Sequence, residues 1–157
     1  MKRNLLLLKV TLCLVILTIL THDSSAQDWN VMHIPDTLKK DAMIVTRMKQ
    51  EKIEVLSKDK FTQTFRHVFT IFSENENWEE NSLHYNSFIK INNLKLTTYD
   101  ASGLKIKDYG KKDFKDYSVF DGSSIHSDGR QLYLSTQRSE YPYTVDISYY
   151  IEYESNK

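Results

Sequence analysis

The chain has 157 residues, with 21 basic and 21 acidic side chains, and is formally neutral. That balance gives no electrostatic case for binding nucleic acid or an anionic membrane surface. Hydrophobic residues make up 40% of the chain and there is one cysteine, so packing rather than disulfides must hold any core together.

The N-terminus reads as an export signal. Lys2 and Arg3 precede an apolar run from Leu5 to Leu20, interrupted by Lys9. The uninterrupted part, from Val10 to Leu20, is shorter than the roughly 20 apolar residues that span a bilayer. Ser24 and Ala26 are small residues at the spacing a signal peptidase reads. Residues 1–26 are therefore expected to be a signal peptide, cleaved between Ala26 and Gln27. Residues 27–157 are expected to form one periplasmic or extracellular domain, with no stable membrane insertion after cleavage. Cys13 follows Leu12 inside the apolar run, which argues against lipidation. Cleavage would remove three positive charges and one negative, leaving −2 and no cysteine. Such a chain can build no disulfide, no Cys-ligated zinc site and no Cys nucleophile.

The first predicted element follows Pro35. Asp36 or Thr37 can cap a short helical turn over Leu38–Ala42. Met43 to Ser57 alternates loosely about Gln50 and Glu51, and reads as one strand or a hairpin. Phe61 to Ser73 is a stronger strand, with Phe61, Phe65, Phe69 and Ile71 on one face. Thr64, Arg66 and Thr70 share the other face with Val68 and Phe72, which predicts a strand covered on both sides over part of its length. The acidic stretch from Glu74 to Ser87, with Trp78 in it, reads as a loop. Ile89 and Ile91 share one parity and Leu94 and Leu96 the other, so a bulge or tight turn is expected at Asn92-Asn93. Asp100 to Gly103, "DASG", predicts a hairpin turn with Gly103 at positive φ, and Leu104 and Ile106 begin the return strand. Residues 111–130 read as loop, anchored by Phe114, Tyr117 and Phe120. Leu132 and Leu134 mark a short strand.

The last element has the cleanest period of two. Tyr141, Tyr143, Val145, Ile147, Tyr149, Ile151 and Tyr153 fall on one face. Thr144, Asp146, Ser148, Tyr150 and Glu152 fall on the other. Six or seven strands against one helical turn predict an all-β fold, an antiparallel β-sandwich.

Catalytic and metal signals are weak. His33, His67, His84 and His126 show no metal-ligand spacing. His67, among phenylalanines, reads as a core or cross-strand histidine. "DGSSIHSDGR" interrupts alternating oxygens with Ile125 and has no late glutamate, so Asx turns explain it better than calcium. Arg130 can pair with an aspartate of that loop. Glu74, Glu76, Glu79 and Glu80 form a solvated acidic loop rather than a glycosidase pair. Ser123, Ser124 and Ser127 lack a nucleophile elbow. No catalytic residue, metal ligand or cofactor is predicted. The candidate ligand-facing aromatics are Trp78 and Tyr150, the latter because it breaks the parity of its strand; a glycan is the ligand such aromatics suggest.

Four segments in order carry a family resemblance: "IPDTLKKDAMIVTRMKQEKIEVLS", "TTYDASGLKIKDYGKKDFKDYS", "SIHSDGRQLYLS" and "YPYTVDISYYIEYE". From about Ile34 to Glu154 the chain resembles the exported bacterial domain of unknown function that precedes a transglutaminase-like core. The resemblance implies an all-β module, usually followed by a papain-like core with a Cys-His-Asp triad. No residue here matches that core. The resemblance thus implies a non-catalytic accessory or interaction module, truncated before the core and incomplete at its C-terminus. The rival is a carbohydrate-binding module. If the last strand belongs inside a longer design, it should leave an open sheet edge for a core domain or another protein.

Overall fold

The computed structural model describes residues 28–74, 82–119, 128–136 and 138–155. The predicted signal peptide, Cys13, Glu76, Trp78, Glu79, Glu80, Phe120, Asp121, Ser123, Ser124, Ser127 and His126 lie outside the described residues.

The fold is an all-β sandwich of two antiparallel sheets. Strands β1 (Ile44–Ser57), β2 (Lys60–Ile71), β4 (Ile89–Tyr99), β5 (Lys105–Gly110) and β8 (Tyr143–Glu154) form the larger sheet, in the order β1-β2-β8-β4-β5. Strands β3 (Ser82–Tyr85), β6 (Lys115–Ser118) and β7 (Arg130–Tyr133) form the smaller one, in the order β3-β7-β6. The inner face of the larger sheet carries Phe69, Ile71, Leu96, Val145 and Ile147, which pack with Phe114, Leu132 and Leu134 from the smaller sheet and its flanks. The odd-numbered face of β8 points into this core, as its alternation predicts.

The expected open C-terminal edge is not there. β8 pairs with β2 from Lys60↔Glu154 to Ile71↔Tyr143, and with β4 from Ile89↔Tyr153 to Tyr99↔Thr144. The last strand is the centre of the five-stranded sheet, and both its backbone edges are used. The edges of that sheet are β1 and β5.

Several local expectations hold and several change. Residues 44–57 form one strand, and the chain reverses at Lys58-Asp59, with Ser57 opposite Lys60. The bulge at Asn92-Asn93 is present: Asn92 faces Tyr150, Lys95 faces Ser148, and Asn93 has φ 51°. It lets Ile91 and Leu94 enter the same core despite opposite parity. Part of the expected acidic loop, Ser82–Tyr85, is strand, held by β7. Lys115–Ser118 is also strand, and within it Tyr117 is exposed rather than an anchor. Phe114 is a buried anchor. The helix α1 covers Asp36–Lys39, earlier than expected, with Pro35 at its N-cap. Pro35 has its φ preset for the entry, and Asp36 in the first turn pairs with Lys39 at 2.7 Å.

An N-terminal arm, residues 28–43, crosses the outer face of the larger sheet. Val31 and Ile34 pack on Val45. Val45 shares a register row with Thr70 and Thr144, so Thr144 is buried although its parity predicts solvent. The two threonine hydroxyls hydrogen-bond each other at 2.8 Å. The arm is pinned to the β4–β5 turn, where the Val31 N–H donates to the Ala101 carbonyl at 3.0 Å. Gly103 in that turn has φ +86°, and a Cβ there would stand 2.7 Å from the Asn30 nitrogen. Only glycine meets both conditions.

Candidate functional site

Beyond the arm, the outer face of the larger sheet is open. The strand register arranges its side chains in rows. Lys52, Thr64, Tyr150 and Asn92 form one row, and Gln50, Arg66, Ser148 and Lys95 the next. Directly opposite residues of an antiparallel ladder share a face, so these side chains stand together. Gln50, Lys52, Thr64, Arg66, Ser148 and Tyr150, with Asn93 of the bulge, line an open groove of about 790 Å³. A smaller hollow of about 320 Å³ adjoins it through Arg66 and Ser148, and reaches Thr97, Tyr99 and Asp146.

The centre of this surface is an ion pair. Arg66 donates to Asp146 through Nε at 3.0 Å and through Nη2 at 2.6 Å, a bidentate fork. The Asp146 side chain is nearly buried, at 11% exposure, while Arg66 keeps 35%. The hydrogen bonds from Asp146 hold the guanidinium proton more tightly than usual, against partial burial. Burial, and then the Asp146 charge, push the Tyr99 phenol up. Both groups thus keep their protons at neutral pH.

Trp29, from the arm, closes one end. Its ring lies 5.3 Å from the Arg47 guanidinium carbon and 6.0 Å from that of Arg66. Arg47 also donates to the Trp29 and Asn30 carbonyls, at 2.5 and 3.2 Å. Burial lowers the Arg47 pKa, while the charge of Asp28 works the other way. Tyr150 stands at the opposite end, half-buried. The parity argument therefore placed Tyr150 on the side away from the core, where it is found; Trp78 lies outside the described residues.

The remaining candidates scatter. His67 is buried on the inner face; its Nε2 lies 3.2 Å from the Thr46 hydroxyl and its ring meets Phe69 edge-on. His33 sits 3.1 Å from Asp28 on the arm, and His84 is on β3. Among the described residues no group of three His, Cys, Asp or Glu side chains could hold a metal ion. Asp128 accepts from the backbone and hydroxyl of Ser87, as a loop-fastening aspartate does. Arg130 pairs with Asp116 of the neighbouring strand, at 2.9 Å. Those hydrogen bonds, with one from Tyr85, lower the Asp116 pKa.

Sequence reasoning missed the Arg66–Asp146 pair and its neighbours Lys95 and Tyr99. The available signal was a charged residue on the polar face of each of two strong strands. Only the register brings them side by side, 80 residues apart in sequence.

A family model described as "Domain of Unknown Function with solved-structure structure (DUF3857)" matches residues 57–157. The chain belongs to the DUF3857 family. No curated protein and no solved structure matches it. The DUF3857 match includes β2 to β8, and with them Arg66, Lys95, Tyr99, Asp146 and Tyr150. The arm and nearly all of β1, which supply Trp29, Gln50 and Lys52, precede it. Among the described residues no helix is long and apolar enough to cross a membrane.

Proposed function

We propose that this DUF3857 domain is a non-catalytic, exported interaction module that binds a protein partner through the outer-face groove. The partner we assign is a transglutaminase-like core. The groove between Tyr150 and Tyr99 carries the reading. It offers a pre-set ion pair, hydroxyls and two phenols on one rigid sheet, the mixture of aromatic anchor and polar contacts that protein interfaces use. The same chemistry is poor for turnover. Ser148 faces the guanidinium of Arg66, which accepts no proton, and the carboxylate that the Thr97 hydroxyl meets, Asp108 at 2.8 Å, is already engaged by Lys105, whereas an activated nucleophile needs a free base within hydrogen-bond reach. The imidazole of His67, on β2, lies on the opposite face.

The test uses residues 27–157, which contain every described strand and both core clusters. This protein is mixed with a separately produced transglutaminase-like core and followed by calorimetry. The expected result is a saturable complex, weakened at least about tenfold by Tyr150→Ala. Tyr117→Ala, on the other sheet, should leave it unchanged. No complex, or one indifferent to Tyr150, overturns the reading. Saturation by a soluble polysaccharide instead of the core would favour the carbohydrate module. Export has its own check, because secreted material should begin at Gln27.

A further inference from the structure

We propose that the β1 edge is a self-association surface, on which a second copy of this chain adds its own β1. β1 is a 14-residue strand that, among the described residues, pairs only with β2. Its outer half is exposed, including Ile53 at 57% and Val55 at 77%. A long edge with unpaired backbone groups and exposed apolar residues is a template for another strand. Natural edges are blunted by charge, and this one carries Lys49, Glu51, Lys52 and Glu54. Charge blocks a wrong partner and selects a right one, so the sign pattern decides the occupant.

A two-fold axis perpendicular to the sheet keeps each face continuous across the joint. It therefore passes through one residue, and residues equally spaced about it become opposite pairs. Bulges interrupt β1 between Thr46 and Met48 and between Val55 and Ser57, which leaves residues 48–55 as regular strand. An axis at Glu51 sets Glu51 against itself, and an axis at Lys52 sets Lys52 against itself. An axis at Gln50 pairs Lys49 with Glu51 but leaves Ile53 facing Arg47 at the bulge. An axis at Ile53 sets Ile53 on Ile53, pairs Lys52 with Glu54 twice, and lays Val55 along the Glu51 stem. Only this last register satisfies both the charges and the exposed apolar side chains. Lys52 and Glu54 already meet within one chain at 2.5 Å, so each is oriented for an opposite charge.

The dimer would be a ten-stranded sheet with both outer-face grooves on the same side, since Gln50 and Lys52 line the groove next to the joint. It does not depend on what the groove binds. Its readout is mass rather than ligand affinity, so the two proposals can fail separately.

The experiment is sedimentation equilibrium on residues 27–157. The wild-type chain should show a concentration-dependent monomer–dimer equilibrium. Glu54→Lys opposes Lys52 with a second lysine at two places and should weaken the dimer at least about tenfold. Lys52→Glu with Glu54→Lys exchanges the signs and should restore it. Ile53→Cys, the only thiol in that chain, should oxidise to a linked dimer, because facing Cβ atoms on the axis fall within disulfide reach. Gln50→Cys should not. A chain that stays monomeric up to about 1 mM overturns the proposal. So does a dimer insensitive to Glu54→Lys, failure of the double exchange to restore it, or linking through position 50 instead of 53.

Discussion

Gly103→Ala is the sharpest test of how the arm is held. At φ +86° an L residue costs about 1 kcal/mol relative to glycine. The new Cβ would also stand 2.7 Å from the Asn30 nitrogen and 3.1 Å from the Trp29 carbonyl carbon. Both are backbone atoms, so no side chain can swing away, and overpacking of this kind costs about 1–2 kcal/mol more. Peeling the arm off completely would expose Trp29, Val31 and Ile34, each worth about 1.5–3 kcal/mol. That exceeds the clash, so the arm should shift and strain rather than leave. The expected loss is about 2–3 kcal/mol, which lowers Tm by about 10 °C for a domain of this size. The assay is urea and thermal unfolding in a Trp78→Phe background, where Trp29 is the only emitter. Its native emission should move to the red as its cover loosens. Gly110→Ala is the control: a Cβ there meets nothing within 4 Å, and the change should stay within about 0.5 kcal/mol. Equal stabilities for Gly103→Ala and Gly110→Ala, with Trp29 emission unmoved, would refute the pinned arm.

Three further outcomes follow from the same geometry. Asp146→Asn removes the charge that the Arg66 fork grips; with Arg66 partly solvated, the loss in chemical denaturation should be about 1–2 kcal/mol rather than the larger cost of orphaning a fully buried charge. The Thr98 hydroxyl is buried and has no hydrogen-bond partner among the described residues, so Thr98→Val should raise stability by about 1 kcal/mol in the same assay. Asp100, Asp108 and Asp116 have lowered pKa values, chiefly through hydrogen bonds from Ser102, Lys105 and Arg130 respectively. Each binds its proton less readily folded than unfolded. Their contribution is complete above the unfolded value of 3.8 and is lost as pH falls through the lower folded values. Unfolding midpoints should therefore hold from neutral pH down to about 5 and drop below about 4, and Asp116→Asn should make that drop shallower.

Much of the fold was legible in the sequence because side-chain alternation is a local property. The period of two in Tyr143–Glu154 and in Phe61–Ile71 reports what lies above and below each strand, and the inner faces of β8 and β2 are where it puts them. The parity flip at Asn92-Asn93 and the turn at Gly103 are equally local, since each needs only a few consecutive residues and a backbone conformation that few residue types adopt. Ser82–Tyr85 and Lys115–Ser118 carry too little alternation to be read; they become strands because β7 lies between them and takes up their backbone hydrogen bonds. The same limit governs the chain end. Alternation says nothing about what lies beside a strand in its own sheet, so β8 looked like an edge and is the centre. The edges of that sheet fell instead to β5 and to β1, whose loose, charged pattern drew no such expectation. The candidate site divides likewise. Tyr150 could be placed on the outer face from its parity alone. Its association with Arg66, Asp146 and Tyr99 required the register of three strands, and the covering of Thr144 required the arm to cross the sheet. Those contacts join residues far apart in sequence, and the free energy that selects them comes from packing the whole sheet at once.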